Sequence, residues 1–522
     1  MVFVNKKRKG NTMFVVKYLL KIKHNEDLYL NKCFDCEQKV ANVIVKHCVK
    51  LLNKLKYDTD YQNLLTQRKN ASTLENKDKK LIFKLNKELS DYRNSIGLSL
   101  YALEKYSKVQ QKKYKKYLSS QEVQVIVANV WKGVEKILFE DGNYLHFKKK
   151  GSFDCLSAKS LTNGIKVDLY NQTIKIGNLD IPFLVKDYDA YAKFALNECK
   201  KTNNDNHIKL KYARMKRLHF NNGYRYYVEF VFAGIPFLKH QKGCGDCGID
   251  VGVSSIASVS DDVCLLEDLA PNIEKYNQKI IKLQKQLERS KRVNNPNCYK
   301  EDGTIIKGSR FVKTKNYFRV LRKLKTLYRK RKAYVEESHS KLANTIIEHC
   351  DTIYIEPMHF KALQKRAKTL KRQEKLSTIT NKNGNTKEIH KFKRKKRYGK
   401  TLNNKSPSAF VTTLKQKCDF YGMEMKEINT NSFKASQYNH ITNDYTKKEL
   451  KQRWNTFHMD NETFLIQRDL YSAFLIKNSN VTLTQPNQEK CKQEFQHFKE
   501  LHNQCIAKVK ATNHNRLSCF GF

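Results

Sequence analysis

An aspartate set inside an apolar run is the tightest constraint this chain places on its own fold. Residues 244–260 read CGDCGIDVGVSSIASVS, and Asp250 stands between Ile249 and Val251 with Gly248 and Gly252 beyond them. A short apolar run bounded by glycines reads as a buried strand. A carboxylate in such a strand is costly to bury unless a cation or a metal ion meets it. The flanking glycines leave room for substrate or another backbone to come close. The same stretch carries Cys244 and Cys247 at C-x-x-C spacing, which offers half of a zinc site as a competing reading. Cys33 and Cys36 form another such pair. Neither pair has a His/Cys second half nearby at finger spacing. The fourteen cysteines therefore read as reduced thiols, mostly small core residues. Asp246 reads as a turn acid.

Two more acids sit out of place in apolar surroundings. Glu356 ends the apolar stretch DTIYIEPM, just before a proline, and Asp469 lies in FLIQRDLYSAFLIKN. On a helix, Ser472 and Ala473 would lie beside Asp469, and such small neighbours let a helix settle close to a sheet. Three acids of this kind match the needs of phosphodiester hydrolysis. That reaction needs charge neutralised at both the attacking and the leaving oxygen, a task for two Mg²⁺ ions, or Mn²⁺ in their place, held by carboxylates. The acids are far apart in sequence, so only the fold can gather them.

Charge sets the class of partner. The chain has 522 residues, with 101 Lys and Arg against 51 Asp and Glu, a formal net charge of +50. A nucleic acid is the simplest counterpart, because each neutralised phosphate releases condensed counterions. A hydrophobic fraction of 40% allows real cores. No apolar run is long enough to span a membrane, so no membrane partner is expected. The N-terminal MVFVNKKRKG does not read as a signal peptide.

The periodicities change along the chain in a definite order. Residues 13–22 read as a strand, residues 31–125 as a helical block, and residues 130–240 as an antiparallel sheet that the first strand can join. The helical block is then an insertion in one β domain. From 244 a hairpin and a third strand precede two long helices, near 272–290 and 316–349. DTIYIEPM reads as a strand and residues 361–400 as a basic segment. A helix over SPSAFVTTLKQKCDFYGM, a strand at EMKEINTN and a core helix near 460–478 follow. Residues 479–522 read as a polar tail with one helix at 487–508. This order predicts an α/β layer fold from 244 onward.

GIDVGVSSIA, IYIEPM and RDLYSAFLI resemble the three RuvC motifs of TnpB proteins, transposon-encoded RNA-guided DNA nucleases related to Fanzors and to type V CRISPR effectors. VWKGVEKILFEDGNYLHFKKKGSF and NPNCYKEDGTIIKG are also similar to segments of that family, so the resemblance covers most of the chain. It implies a multidomain α+β protein. A β-barrel wedge domain (1–30 and 126–242) would be interrupted by a helical recognition domain (31–125). An α/β ribonuclease H-like RuvC domain (243–478) would follow, with a basic lid at 359–405, and 479–522 would form the tail. It implies Asp250, Glu356 and Asp469 as the catalytic, Mg-binding triad. The implied partners are a guide RNA from the transposon end and target double-stranded DNA, cut beside a short transposon-adjacent motif. The protein would be cytoplasmic and nucleoid-associated if bacterial, and nuclear if from a eukaryote or a large DNA virus.

The family's usual cysteine zinc module has no counterpart here. Residues 430–459 hold no cysteine, and His440, Asp444 and His458 without thiolates make a poor structural zinc site. This insertion reads as a degenerate, zinc-free module. Residues 361–400 hold 16 Lys/Arg and two acids, Glu374 and Glu388. Placed after Glu356, they read as a lid that contacts nucleic acid through Lys361, Lys365, Arg366, Lys368, Arg394 and Arg397, against the alternatives of a solvated loop or an import signal. Two other functions stay open at this level: an RNA-guided DNA-binding protein that does not cut, and a transposase or resolvase acting without RNA.

Overall fold

The computed structural model describes residues 12–73, 78–140, 142–161, 164–201, 208–364, 372–380, 386–392, 398–449, 452–459, 462–512 and 520–521. The chain divides into two compact units, Met1–Phe237 and Leu238–Phe522.

The first unit opens with β1 (Met13–Leu20), whose alternation buries Phe14, Val16, Tyr18 and Leu20 and leaves the residues between them mostly exposed. Five helices follow: α1 (His24–Tyr57), α2 (Thr59–Thr73), α3 (Lys79–Ser95), α4 (Leu100–Lys113) and α5 (Ser120–Phe139). The sheet then resumes with β2 (Cys155–Ser157), β3 (Ile165–Asp168), β4 (Thr173–Ile176) and β5 (Leu179–Leu184). Helix α6 (Ala190–Lys200), β6 (Lys209–Phe220) and β7 (Gly223–Ala233) complete the unit. The strand order is β2-β6-β7-β1-β5-β4-β3. β3 returns to lie near β6, so the sheet nearly closes on itself. β1 pairs antiparallel with both β7 and β5. The first strand thus joins the later sheet, with the helices inserted between.

Helix α5 corrects the expected boundary. It runs on to Phe139, where the strand-like reading starts at 130 and the expected barrel resumes at 126. Val123, Ile126, Val127, Val130 and Val134 form one buried stripe. Their β-branched side chains look like strand residues, but their spacing is that of a helix. Ser119 and Glu122 close a reciprocal capping box at its start.

Arg217 ties the seven-stranded sheet to the helices of this unit. It is 3% exposed, and its guanidinium donates to Asp154 Oδ1 (3.1 Å), Asn31 Oδ1 (2.7 Å) and the Phe153 carbonyl (2.8 Å). Its planar face lies between Phe34 and Tyr224, at 4.2 and 4.6 Å from their centroids. Arg217→Met is expected to cost about 2 kcal/mol, because a buried guanidinium loses three hydrogen bonds to half-buried acceptors and its stack on two rings. Arg217→Lys should not restore the loss, since an ammonium cannot make the fork or the stack. Urea denaturation of the full chain checks both, and a loss below about 1 kcal/mol would show that the network is only a surface ion pair.

The second unit begins with β8 (Asp246–Val251), β9 (Ser255–Val259) and β10 (Cys264–Asp268), followed by the long helices α7 (Ile273–Val293) and α8 (Lys315–Ile347). These two pack along Ile280, Leu287 and Leu324 and keep most of their lysines and arginines outside that seam. Next come β11 (Thr352–Ile355), the short α9 (Phe360–Leu363), β12 (Arg372–Thr380), β13 (Thr386–Phe392), α10 (Gly399–Lys405), α11 (Pro407–Tyr421) and β14 (Glu424–Glu427). The main sheet has the order β10-β9-β8-β11-β14. β8, β9 and β10 are antiparallel neighbours, whereas β11 runs parallel to both β8 and β14. β12 and β13 form a separate antiparallel hairpin within the expected lid.

The chain ends with α12 (Thr430–Phe433), β15 (Tyr438–Asn439), β16 (Asp444–Tyr445), β17 (Trp454–Met459), β18 (Glu462–Gln467), α13 (Arg468–Lys477) and α14 (Gln488–Thr512). The core helix expected near 460–478 is therefore a strand followed by a helix, with the switch at Gln467–Arg468. The expected tail also contributes core: Phe495, Phe498 and Phe520 are buried in one cluster with Phe457, Leu470, Tyr471 and Phe474. The C-terminal end of α8 and α11 cover one face of the main sheet, packing on Cys247, Ile249, Val251, Ile353 and Ile355. α13 lies against β8 and β9, and α14 against β10.

Candidate active site

Strand alternation decides where Asp250 points. Cys247, Ile249 and Val251 belong to the α8/α11 side, so Gly248 and Asp250 face α13. Gly248 is the contact point: a Cβ there would stand 2.0 Å from the Ala473 carbonyl oxygen and 2.3 Å from the Lys477 nitrogen. Only glycine permits that approach. Ala473 makes this contact, and both it and Ser472, the small residues of the helix, are buried. Helix and strand therefore lie backbone to backbone next to Asp250.

Register brings Glu356 to the same place. β11 pairs with β8 through Ile355↔Ile249, and the Glu356 amide donates to the Ile249 carbonyl at 3.3 Å. Continuing the ladder by one residue sets Glu356 beside Asp250. Ile353 and Ile355 face α8 and α11, while Tyr354 packs with the α13 core. Glu356 thus falls on the α13 side with Asp250.

Asp469 is the second residue of α13, in the first turn, where exposed helix amides favour a carboxylate. Gln467 caps the helix by accepting from the Leu470 amide at 2.9 Å. The Gln467 amide itself donates to Nε2 of buried His502, at 3.0 Å. Two arginines meet Asp469. Arg468 donates to its Oδ1 from Nε (3.2 Å) and Nη2 (3.1 Å), and Arg453 donates to its Oδ2 at 3.4 Å.

The electrostatics follow from this crowding. Burial pushes the Asp250 carboxyl well above the ordinary carboxylate range. The charges of Asp469 and Glu356 push it further, and Arg468 and Arg453 offset part of the effect. Burial also raises Glu356. Among the described residues neither side chain has a hydrogen-bond or ion-pair partner. Both are acids that would welcome a further cation. In their present positions no three His, Cys, Asp or Glu side chains among the described residues form a ready metal cluster. The donor set still fits a hard divalent ion, being three carboxylates, with no thiolate and no imidazole.

His440, Asp444 and His458 do not come together as ligands. His440 is buried with its Nδ1 on the Tyr471 hydroxyl (2.7 Å) and its ring against Phe495 (centroids 4.4 Å). His458 is exposed and pairs with Thr463, and Asp444 is exposed in the β15–β16 pair. Of the lid residues, Lys361 lies in α9. Lys365, Arg366, Lys368, Arg394 and Arg397 fall outside the described residues. Cys33 and Cys36 are buried in α1, Cys244 is exposed and Cys247 is buried. Sequence reasoning missed Arg453, Gln467 and His502. Arg468, adjacent to Asp469 in RDLYSAFLI, was the one legible companion.

Fold and site together define a mixed five-stranded sheet with Asp250 on one strand, Glu356 just past the end of its parallel neighbour and Asp469 in the first turn of the helix docked against them. No protein-family model matches the chain, and no curated protein does. Among solved structures, it is similar to one described as a Cas12f1–sgRNA–target DNA complex, at 12% identity and a TM-score of 0.39, over 90% of this chain and 99% of that one. A CRISPR-Cas12f ternary complex gives 12% and 0.27, over 87% and 82%. An AacC2c1–sgRNA–extended non-target DNA complex gives 8% and 0.28, over 83% and 69%.

Proposed function

We propose that this chain is an RNA-guided DNA endonuclease of a transposable element, with a RuvC-like, ribonuclease H-type site formed by Asp250, Glu356 and Asp469. The observation that carries the reading is the convergence of these three acids. They are distant in sequence, each lies in a motif that resembles one RuvC motif of the TnpB family, and the charges of Asp469 and Glu356 both act on the buried Asp250 carboxyl. The net charge of +50 supports polyanionic partners, and the motif resemblance supports a guide RNA from the transposon end and a double-stranded DNA target. By that logic base pairing reads the target and protein reads only a short adjacent motif.

The three carboxylates would hold two Mg²⁺ ions, or Mn²⁺. Such ions supply a nucleophilic water and charge neutralisation on the leaving oxygen. The chain's own residues prepare for this. Docking at Gly248 fixes α13 against β8, so Asp469 and Asp250 keep their spacing. Arg468 holds Oδ1 of Asp469 and sets its rotamer. The basic outer faces of α7 and α8, and the β12–β13 hairpin in the basic segment after Glu356, would carry the phosphate backbone.

The test is to purify the protein with its co-purifying RNA and to sequence that RNA. A plasmid carrying the guide-matched site is then incubated with the complex and Mg²⁺. Cleavage is expected only with the RNA and Mg²⁺ present, and is expected to vanish in Glu356→Gln. Cutting that survives removal of the RNA would favour the RNA-independent transposase. Guided gel shifts with intact DNA would favour the non-cutting binder.

A further inference from the structure

The two arginines on Asp469 are not equivalent. Arg468 is 13% exposed, makes two contacts with Oδ1, and donates through Nη1 to the Gln452 carbonyl at 3.1 Å. It is tied at both ends and would stay. Arg453 is 36% exposed and reaches only Oδ2, at 3.4 Å, at the long end for a charge-assisted bond. Arg468 thus orients one oxygen, while Arg453 covers the oxygen left over.

Arg453 is in turn held by a distant part of the chain. It stands just before β17, and its carbonyl accepts from the Arg468 amide at 2.8 Å. Its neighbour Trp454 donates from Nε1 to the Gly521 carbonyl at 2.8 Å. Phe520 is fully buried in the core that holds Leu470 and Tyr471. Gly521 has φ +91°, and a Cβ there would stand 2.3 Å from Arg453 Cβ and 2.9 Å from its Cγ. The backbone of Gly521 therefore lies directly against the stem of Arg453, and Phe520 anchors it in the core.

We infer that Arg453 is a displaceable counter-ion that occupies Oδ2 of Asp469 until a divalent ion takes that oxygen, and that Phe520–Gly521 sets its position. This rests on the reading of Asp250, Glu356 and Asp469 as ligands. Physically it is a competition of cations for one carboxylate. A guanidinium there relieves the repulsion among the three acids, so the site tolerates having no ion bound. The ion must then displace a partner, and its affinity falls by the strength of that pair. Ion capture is thereby coupled to whatever draws Arg453 away, and a nearby phosphate is the group best suited to do so.

Mn²⁺ binding to the full chain, freed of nucleic acid and followed by electron paramagnetic resonance, tests this apart from cleavage. Arg453→Gln is expected to bind Mn²⁺ about fivefold more tightly than wild type, the factor lost to a partly exposed ion pair. Arg453→Lys should fall between the two. Gly521→Ala, which keeps the charge but crowds the stem, should shift affinity in the same direction as Arg453→Gln. Wild-type protein gives an independent reading that needs no substitution. Labelling of Arg453 by an arginine-selective dicarbonyl, read by mass spectrometry, should rise when Mn²⁺ is added. Unchanged affinity in Arg453→Gln, or labelling indifferent to Mn²⁺, overturns the counter-ion role. An effect of Arg453→Gln without one of Gly521→Ala overturns the part given to residues 520–521. Asp250→Asn and Asp469→Asn separate this from the functional reading. If neither weakens Mn²⁺ binding, the metal site itself is wrong and the counter-ion role falls with it. If both weaken it and Arg453→Gln does nothing, only the counter-ion role falls.

Discussion

Asp250→Asn is expected to abolish DNA cleavage, by a factor of at least about 10³, and at the same time to make the ion-free protein more stable. Both effects have one cause. Asp250 is a carboxylate without a hydrogen-bond or ion-pair partner among the described residues, pushed toward protonation first by burial and then by the charges of Asp469 and Glu356. Its folded-state pKa lies above the unfolded value of 3.8. In the window between the two values the folded state binds more protons than the unfolded one. Stability therefore falls as pH rises through that window, and the cost is in full force above the folded value. Asn removes the charge with little change in shape. A gain on the order of 1 to 2 kcal/mol at neutral pH follows, a usual trade of stability against function. Calorimetry of wild type and variant in a chelator, beside a plasmid cleavage assay, checks both. An inactive variant that is also less stable would show that Asp250 already has a stabilising partner. An active one would remove it from the site.

Phe495→Ala is expected to cost the second unit about 3 to 5 kcal/mol and to lower cleavage with it. Phe495 projects from α14 into the ring cluster of His440, Phe457, Phe464, Phe474 and Phe498. That cluster supports α13, and through it Asp469. Two of its rings, His440 and Phe457, lie in residues 430–459, where the resemblance would place a zinc module, and aromatic packing would do the work of the metal. Accordingly a zinc-selective chelator, with Mg²⁺ kept in excess, should leave the thermal midpoint of wild type unchanged. His440 adds a pH signature. Burial, helped by Lys492, lowers its pKa from 6.5 to about 4. The unfolded chain then takes up a proton between those values that the folded chain refuses. The unit should lose stability as pH falls from 6.5 toward 4. A drop in midpoint on zinc-selective chelation, or a Phe495→Ala loss below about 1 kcal/mol, would contradict this account.

Legibility followed the range of the interactions. Strongly patterned elements could be read: β1, the β8–β10 meander, the long helices α7 and α8, and the strand β11 that leads into Glu356. The α5 boundary could not, because Val and Ile in "VQVIVANVW" favour strands locally while the buried stripe of a long helix claims them. The Gln467–Arg468 switch was hidden for a similar reason. An apolar stretch spanning the end of a strand and the start of a helix reads as one helix. Residues 479–522 looked polar because α14 buries one face alone, and that face has value only where β10 and α13 meet it.

The sequence by itself determined the chemistry available. It set three acids in apolar settings, a large positive charge, small residues at 472 and 473, and no cysteine between 430 and 459. Tertiary structure alone decided which groups meet. Parallel register set Glu356 beside Asp250, the missing Cβ of Gly248 let α13 bring in Asp469, and the β17–β18 hairpin carried Arg453 onto its free oxygen. A local pattern records which face of an element is apolar, through the period of its side chains. What that face or charge will touch depends on residues hundreds of positions away, and on an energy that exists only once the chain has closed.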